Sequence, residues 1–552
     1  MKTKLVVVLL LLSLPVFSLS FNDPGDPADL AYRITAAMTD EQALAQTFML
    51  AWVGAEPSPL IMQWIRQRHI GGVKIFGWNT DNTRKLAETV GVLQTNAIAN
   101  PFGIPLLVAT DQEGGMVRHV RGDTSETPGN MAIGASGRPM DAFLSGYYIG
   151  REMALLGVNM NFAPTIDLYT NRDSTLIGPR SFGPDPIASG ILGTAFARGH
   201  REWGVIPTAK HFPGHGDTEL DSHGVLPRIY APLEVLWDRE LLPFRFMIHE
   251  GVPAIMSAHL AFPNTPGGNT PASLSRWFMH DLLREKMGFE GLIITDDLMM
   301  NGALLYTRSL SRAARLALEA GNDIVMLSIT PFLNDVVWTY LLSTMRTDPV
   351  FRERVRDACR RVIKLKLEHL RGENKVPFVP DLQIIDAGIV DPEGSAFFLS
   401  LAARSTTVID NNNVFPLTPE NSGRVLLTGN FGGFFNAGAR AFPNAATFRF
   451  TSIHDGDELV NRARNADTVI FALSNRMGLR NLQRLQHLGR RVIVFSVLNP
   501  VYLDEVPWID GAVAVYSFAP VSFTAGFSAI LGRISGEGTL PFNLIGHTYG
   551  GN

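Results

Sequence analysis

Residues 288–300 read GFEGLIITDDLMM, in which a short apolar run at 292–295 is followed by two adjacent aspartates. A helical pattern comes next, at 309–320, and it ends at Gly321, a residue type that commonly terminates helices. A second apolar run at 323–327 completes a strand–helix–strand unit. Such a unit predicts two parallel strands, because the helix returns the chain to the edge where the first strand began.

The same alternation continues towards the N-terminus. Eight apolar runs predict eight strands, at 47–53, 71–76, 105–110, 159–163, 205–210, 253–257, 292–295 and 323–327. Eight strands that alternate with helices over about 350 residues favour an α/β fold of the (β/α)8 TIM-barrel type. An open doubly wound sheet of eight parallel strands is the alternative.

A second α/β pattern follows the predicted barrel. The segment 372–398 contains three prolines and little periodicity, which is typical of a linker. Beyond it, four more apolar runs predict buried strands, at 424–428, 467–473, 491–497 and 512–516. We therefore expect a barrel domain over 25–371, a linker over 372–398 and a smaller αβα-sandwich domain over 399–552.

The composition excludes several classes of protein. The 48 basic and 52 acidic residues give a net charge of −4, and charged residues make up 18% of the 552 residues. This balance argues against a nucleic-acid partner and against an acidic disordered chain. The single cysteine, Cys359, excludes an internal disulfide and any metal site built from several cysteines.

The first residues have the pattern of a secretory signal peptide. Lys2 and Lys4 precede an apolar run at 5–16, and the small residues Ser18 and Ser20 follow it. The run is short for a bilayer span, and no cysteine follows it that could carry a lipid. We predict a signal peptide over 1–20, export to the periplasm or the extracellular space, and no stable membrane insertion. An uncleaved N-terminal anchor is the alternative.

Ionisable residues follow five of the predicted barrel strands. Catalytic groups of barrel enzymes lie at the carboxyl ends of strands, so these residues are expected at one rim. Any one of them alone would be interpreted as a capping or surface residue, but together they predict a site. They are Asp111, Asp167, Lys210, His211, His259, Asp296 and Asp297.

The segment 210–223, KHFPGHGDTELDSH, carries the densest group of such residues. Asp221 and His223 lie two residues apart, so both side chains can face the same way on an extended loop. A carboxylate bonded to one ring nitrogen leaves the other nitrogen free to transfer a proton. A metal site is the alternative, but the spacing differs from that of a zinc helix and Lys210 would repel a cation. We expect neither a metal nor another cofactor.

Asp296 follows a buried strand directly. A carboxylate close to Lys210 and to arginines would stay ionised, as a carboxylate nucleophile requires. The adjacent Asp297 is expected to cap the next helix, which is a common use of aspartate.

Five segments together resemble glycoside hydrolase family 3, in its β-N-acetylhexosaminidase branch. They are ATDQEGG (109–115), IGPRSFG (177–183), KHFPGHGDTELDSH (210–223), MSAHLAFP (256–263) and GLIITDDLMM (291–300). The resemblance covers 31–370, and the C-terminal part is similar to the second, αβα-sandwich domain of the family. It implies a two-domain protein whose first domain carries the chemistry.

The resemblance also implies a role for individual residues. Asp296 matches the nucleophile, and His223 with its partner Asp221 matches the general acid/base. The residues that would hold the sugar are Asp111, Arg180, Lys210 and His211.

One motif departs from the pattern of this branch. The branch usually reads EGGRVQR where this chain reads EGGMVRH, so Met116 and His119 replace two arginines, the last of which contacts the sugar. Arg118 or Arg121 could compensate from a neighbouring position.

The function implied is that of an exported, retaining β-N-acetylglucosaminidase that acts on short glycans containing N-acetylglucosamine, such as cell-wall or chitin fragments. Three alternatives stay open. They are a family-3 β-glucosidase or β-xylosidase, a glycoside phosphorylase, and a non-catalytic exported sugar-binding protein. The sequence predicts no oligomeric state.

Overall fold

The structure is a computed structural model that describes residues 19–80 and 82–544. The signal peptide predicted over 1–20 therefore lies outside the described residues, except for its last two. Within the described ranges, every helix is too short or too polar to cross a lipid bilayer.

Eight parallel strands of the first domain close into a barrel, in which β1 pairs with both β2 and β8. Each of the eight coincides with a predicted strand. The barrel is confirmed, and the open sheet is wrong because the first and last strands are hydrogen-bonded to each other. The strands are β1 (Phe48–Ala51), β2 (Gly72–Ile75), β3 (Leu107–Thr110), β4 (Met160–Asn161), β5 (Ile206–Phe212), β6 (Ala254–Ser257), β7 (Leu292–Asp297) and β8 (Ile324–Leu327).

Helices surround this barrel and close its amino-terminal end. Inward side chains such as Met49, Leu107 and Ile294 form one apolar cluster with residues of the two helices that close this end, Pro27–Ala37 and Pro349–His369. The free Cys359 lies buried in that cluster. The other α-helices of this domain are Asp40–Gln46, Pro59–Gln63, Thr83–Ala97, Asn130–Ser136, Pro139–Leu155, Pro186–Arg201, Leu233–Asp238, Leu241–His249, Asn301–Thr307, Leu310–Ala320 and Val336–Thr347, and Trp64–Arg68 and Trp277–Lys286 are π-helical.

The segment predicted as a linker contains more structure than its sequence indicates. It includes the helix Leu382–Ala387 and the start of the helix Pro392–Ser405. The side chains of Phe398 and Leu401 are buried in the apolar cluster around the barrel. Periodicity is weak here because each helix contributes only a few apolar contacts to a surface that the barrel supplies.

The second domain is a six-stranded sheet with helices on both faces. Its strands are β9 (Thr407–Asp410), β10 (Val425–Gly429), β11 (Ala446–Arg449), β12 (Thr468–Leu473), β13 (Arg491–Ser496) and β14 (Gly511–Ala514), in the order β9-β14-β13-β12-β10-β11. The flanking α-helices are Gly432–Ala441, Gly456–Arg464, Arg476–Gln483 and Pro520–Ile530. The sandwich and its four predicted strands are confirmed. The edge strands β9 and β11 were not predicted, and β11 gives no apolar signal because it is largely exposed.

The two domains meet at the carboxyl end of the barrel. The Asn499 amide donates to the Tyr169 hydroxyl at 2.6 Å, and Arg172 forms an ion pair with Asp504 at 2.5 Å. Tyr169 also packs in an apolar cluster with Ala514 and Tyr516. The second domain thus contacts the loop that follows β4, one of the loops above the barrel.

Candidate active site

A cavity of about 270 Å³ opens at the carboxyl ends of the barrel strands. The family resemblance gives a role to seven residues, and six of them line this cavity. The seventh, Asp221, is bonded to His223 at the cavity. The predicted residues that line the cavity are Asp111, Arg180, Lys210, His211, His223 and Asp296.

Asp111, at the end of β3, joins two buried lysines. Its Oδ1 lies 2.5 Å from Nζ of Lys210, and its Oδ2 is paired with Nζ of Lys74. Burial by itself raises the pKa of Asp111, but the charges of Lys210 and Lys74 outweigh it and hold the pKa well below its usual range. The cavity therefore contains a carboxylate that is ionised and can accept hydrogen bonds from hydroxyl groups.

Arg180 is fixed by Glu113, a residue that the sequence did not single out. Two parallel hydrogen bonds of 2.9 and 2.7 Å join the guanidinium to this carboxylate, and Lys210 contacts the same carboxylate at 2.6 Å. Burial raises the pKa of Glu113, but Arg180 and Lys210 lower it to about 2. This bidentate geometry holds the guanidinium plane in one orientation at the wall of the cavity.

His211 is oriented by Asp167. Nδ1 of His211 lies 2.6 Å from Oδ2 of Asp167, and the same carboxylate accepts the His215 amide at 2.6 Å. Burial raises the pKa of Asp167, whereas His211 and His215 lower it to about 2. An ionised Asp167 keeps the proton of His211 on Nδ1, so Nε2, which lies 3.4 Å from Nη2 of Arg180, is the ring atom that accepts hydrogen bonds.

Asp296 stands at the end of β7, where its Oδ1 accepts the Asp297 amide at 2.8 Å. Burial raises its pKa, but His211, His259 and that hydrogen bond outweigh the effect and lower the pKa below its usual value. Asp296 is thus ionised in the cavity, as expected for a carboxylate nucleophile.

The expectation that Asp297 caps the next helix is wrong. Its Oδ1 accepts the amides of Met299 and Ser328, each at 3.0 Å, whereas the helix Asn301–Thr307 has Met300 at its N-cap. Through these hydrogen bonds, Asp297 instead connects the end of β7 to the loop after β8. The two chain segments approach only in the folded barrel.

The Asp221–His223 pair lies on a loop at the cavity mouth. Nδ1 of His223 is 2.6 Å from Oδ1 of Asp221, and the side chains are 67% and 48% exposed respectively. Burial raises the pKa of Asp221, but the two hydrogen bonds that it accepts from His223 together outweigh burial and lower the pKa. This contact uses Nδ1 of His223, and Nε2 is the other ring nitrogen at the cavity.

Two contacts fix this loop against the barrel. The Ser222 hydroxyl lies 3.1 Å from Nε2 of the buried His215, and its carbonyl accepts the Gly302 amide at 3.0 Å. A Cβ at position 302 would lie 2.8 Å from Cβ of His259. The same Cβ would lie 3.2 Å from the Ser222 carbonyl oxygen, so the absence of a side chain at Gly302 allows the helix Asn301–Thr307 to approach both the segment after β6 and this loop.

Neither nearby arginine takes the place of the two replaced arginines, and a lysine from another strand pairs with Asp111. Among the described residues, neither Arg118 nor Arg121 lines the cavity, because Arg118 binds Glu126 and the Thr124 carbonyl, and Arg121 turns towards the Arg118 carbonyl. The cations beside Asp111 are Lys210 and Lys74, and the latter comes from β2. The hypothesis that Arg118 or Arg121 compensates is therefore wrong.

Lys74 is the main residue that the sequence analysis missed. It lies 3.4 Å from Nδ1 of His119, whose pKa falls to about 4 through burial and the charge of Lys74. His119 is consequently neutral at pH 7. Burial also lowers the pKa of Lys74, but the attraction of Asp111 opposes that effect. A lysine inside the apolar run GGVKIF was the available signal, because fully buried lysines are rare without a partner.

The described residues contain no group of three or more histidine, cysteine, aspartate and glutamate side chains placed to hold a metal ion. The cavity carboxylates are paired with lysines, arginines and histidines instead. The fold and the cavity define a barrel enzyme whose chemical groups are carboxylates and histidines.

Comparison with known proteins identifies the family. Residues 41–365 match the model of the glycosyl hydrolase family 3 N-terminal domain. The chain belongs to glycosyl hydrolase family 3.

Several named proteins are similar to this chain. "Beta-hexosaminidase A" of Pseudoalteromonas piscicida is 31% identical over 380 residues, which cover 65% of this chain and 62% of that protein. The "Beta-N-acetylglucosaminidase/beta-glucosidase" of Cellulomonas fimi is 28% identical, over 92% of this chain and 94% of its own length. The solved structure of a family 3 β-N-acetylglucosaminidase from Paenibacillus sp. is 28% identical and superposes with a TM-score of 0.83, covering 92% of this chain and 99% of that chain.

Proposed function

We propose that this chain is an exported, retaining β-N-acetylglucosaminidase that removes terminal N-acetylglucosamine from short glycans. The observation that carries the proposal is the presence of an ionised carboxylate, Asp296, and a carboxylate-backed imidazole, His223, in one cavity. The printed names of the relatives from Pseudoalteromonas, Cellulomonas and Paenibacillus support the same activity.

The first step forms a covalent glycosyl-enzyme. A carboxylate oxygen of Asp296 attacks the anomeric carbon, and the bond from that carbon to the leaving oxygen breaks. His223 gives its Nε2 proton to that oxygen, and Asp221 stabilises the imidazolium before the transfer.

The second step reverses the roles. Neutral His223 takes a proton from water, and the resulting hydroxide displaces Asp296 from the anomeric carbon, so the configuration of the sugar is retained. A histidine acid/base suits this cavity because its proton donor is cationic and adds no negative charge beside Asp296.

The remaining predicted residues would hold the sugar. Asp111 and His211 Nε2 offer acceptors to hydroxyl hydrogens, and Lys210 and Arg180 offer donors to oxygens of the ring substituents. Each of these side chains is already fixed by a partner within the protein, which lowers the entropy that substrate binding must overcome.

The experiment that tests the proposal compares Asp296→Asn with the wild-type protein on an aryl N-acetyl-β-glucosaminide. The substitution keeps the size of the side chain and removes its nucleophilic charge, so we expect kcat to fall by about 10³-fold or more. Asp238→Asn, at an exposed helix position, is the control and should retain full activity. Activity of Asp296→Asn within tenfold of the wild type would refute the assignment.

A second activity is tested in the same assay because the Cellulomonas relative also carries the name beta-glucosidase. An aryl β-glucoside replaces the first substrate, and each reaction is run with and without phosphate. A sugar phosphate among the products would identify phosphate as the acceptor. Absence of turnover with either substrate would favour the sugar-binding alternative.

Export is proposed from the sequence pattern of 1–20. Expression of the full chain in a Gram-negative host, followed by fractionation and N-terminal sequencing, tests it. We expect a shortened protein outside the cytoplasm, and recovery of the intact chain in the cytoplasmic fraction would contradict export.

A further inference from the structure

Three side chains form a continuous line from the floor of the cavity to its rim. Lys74 is buried at the floor, and its ammonium lies 4.8 Å from the ring centroid of Phe76, which lines the cavity wall. Phe76 in turn stacks on Trp78, with ring centroids 4.4 Å apart and ring planes inclined by 14°. The exposed indole of Trp78 therefore packs directly against a residue of the cavity wall.

Trp78 is exposed yet firmly held. Its side chain is 45% exposed, while its Nε1 donates to the Trp52 carbonyl at 2.8 Å. The adjacent Asn79 bonds the Trp52 and Gly54 carbonyls at 3.0 and 2.7 Å and accepts the Phe76 amide at 2.8 Å. Because the polar atom of the indole is already bonded inside the protein, the exposed part of the ring is apolar.

Covering a rigid exposed indole with a ligand removes apolar surface from water, which is favourable. The cavity itself, at about 270 Å³, has room for little more than one sugar ring. The group that leaves during hydrolysis must then lie outside it, at the rim. A β-linked pyranose has most of its hydroxyls around its edge and C–H groups on its faces, which suit stacking on an aromatic surface.

We propose that the Phe76–Trp78 stack is a binding site for the leaving sugar, and that this sugar is a second N-acetylglucosamine unit of a β-linked oligosaccharide. The inference rests on the proposed function and specifies its substrate class. The stack selects a leaving group with a flat apolar face over one without a ring. Its occupant buries the indole face, while the sugar to be released lies among Asp111, Lys210 and Arg180.

The experiment compares two substrates that differ only in the leaving group. One is the β-1,4-linked disaccharide of N-acetylglucosamine, and the other is methyl N-acetyl-β-glucosaminide, which has no second ring. We expect Trp78→Ala to lower kcat/KM for the disaccharide about tenfold or more and to change that for the methyl glycoside less than about twofold. Trp78→Phe retains a ring and should restore most of the disaccharide activity. Tyr32→Ala, at an exposed aromatic position on the helix Pro27–Ala37, is the control and should change neither value.

Binding can be measured without turnover, so it tests the role of Trp78 separately from catalysis. In the Asp296→Asn background, calorimetry measures binding of the disaccharide and of free N-acetylglucosamine with and without Trp78→Ala. We expect weaker binding of the disaccharide alone. Equal effects on both ligands, or none on either, would overturn the proposal. If the wild-type protein binds both sugars but cleaves neither substrate, the proposed function fails, while the binding comparison still decides the role of Trp78.

Discussion

Nδ1 of His223 lies 2.6 Å from Oδ1 of Asp221, although both side chains are largely exposed at the mouth of the cavity. A second hydrogen bond, from the His223 amide to the same oxygen at 2.8 Å, makes the pair a compact local unit. The carboxylate fixes the ring tautomer with the proton on Nδ1 and leaves Nε2 to face a substrate. This relationship gives an exposed histidine a defined acid/base geometry.

Asp221→Asn should therefore impair proton transfer while preserving the shape of the loop. The amide lacks the charge that stabilises the imidazolium, so we expect kcat for the N-acetylglucosamine disaccharide to fall about 10²-fold. The loss should be smaller for an aryl glycoside with an acidic phenol, whose departure needs little protonation. Steady-state kinetics with both substrates measure the difference, and Glu219→Gln on the same loop is the control. An equal loss with both leaving groups would contradict a role in proton donation.

Lys74→Met should reduce substrate binding because it removes one of the two cations that hold Asp111 ionised. We expect kcat/KM to fall about tenfold to a hundredfold. Adding His119→Arg returns a cation to the position that carries arginine in the resembling branch, and should recover part of the loss. Lys85→Met removes an exposed lysine paired with Glu56 and serves as the control. Full activity of Lys74→Met would show that Lys210 alone is sufficient.

Gly302→Ala should displace the loop that carries His223. The new methyl group would meet Cβ of His259 at 2.8 Å and the Ser222 carbonyl at 3.2 Å, so the helix and the loop must separate. We expect kcat to fall at least about tenfold with the far-UV circular dichroism unchanged. Gly432→Ala adds the same methyl group where nothing lies within 4 Å, and should have no effect on activity. Unchanged kcat in Gly302→Ala would indicate that the loop adjusts without losing its geometry.

Glu152 predicts a pH dependence of stability. Burial raises its pKa from an ordinary 4.5 to about 7 in the folded protein, against hydrogen bonds from Ser125. Between these values the folded state binds more protons than the unfolded state, so the free energy of unfolding falls as pH rises from 4.5 to 7. A shift of this size corresponds to about 3 kcal/mol.

Glu152→Gln removes the titration and keeps a hydrogen-bond acceptor for Ser125. We expect the variant to be more stable than the wild type at pH 8, with a difference that shrinks towards pH 5. Urea unfolding at both pH values measures it, and Glu234→Gln, an exposed change, is the control. A pH-independent difference would mean that packing, rather than ionisation, accounts for the effect.

Strand positions in both domains could be predicted from the sequence wherever the strand is buried on both faces. All eight barrel strands and the four central strands of the second sheet met this condition, because burial on both faces favours a mostly apolar run, in which polar residues such as Lys74 are exceptions. The edge strand β11 is largely exposed and therefore was not predicted. The helices of the predicted linker were also missed, since they acquire their apolar partners only from the barrel surface.

The sequence by itself determined the barrel, the family resemblance and the candidate nucleophile and acid/base pair, because these depend on runs and motifs of neighbouring residues. Only the tertiary structure decided which cations accompany Asp111, what orients Arg180 and His211, and that Trp78 stacks on Phe76 of the cavity wall. Lys74, Glu113 and Asp167 come from different strands and loops, and barrel closure brings them together. Distances between such residues, and the pKa shifts that depend on those distances, do not exist in a linear chain.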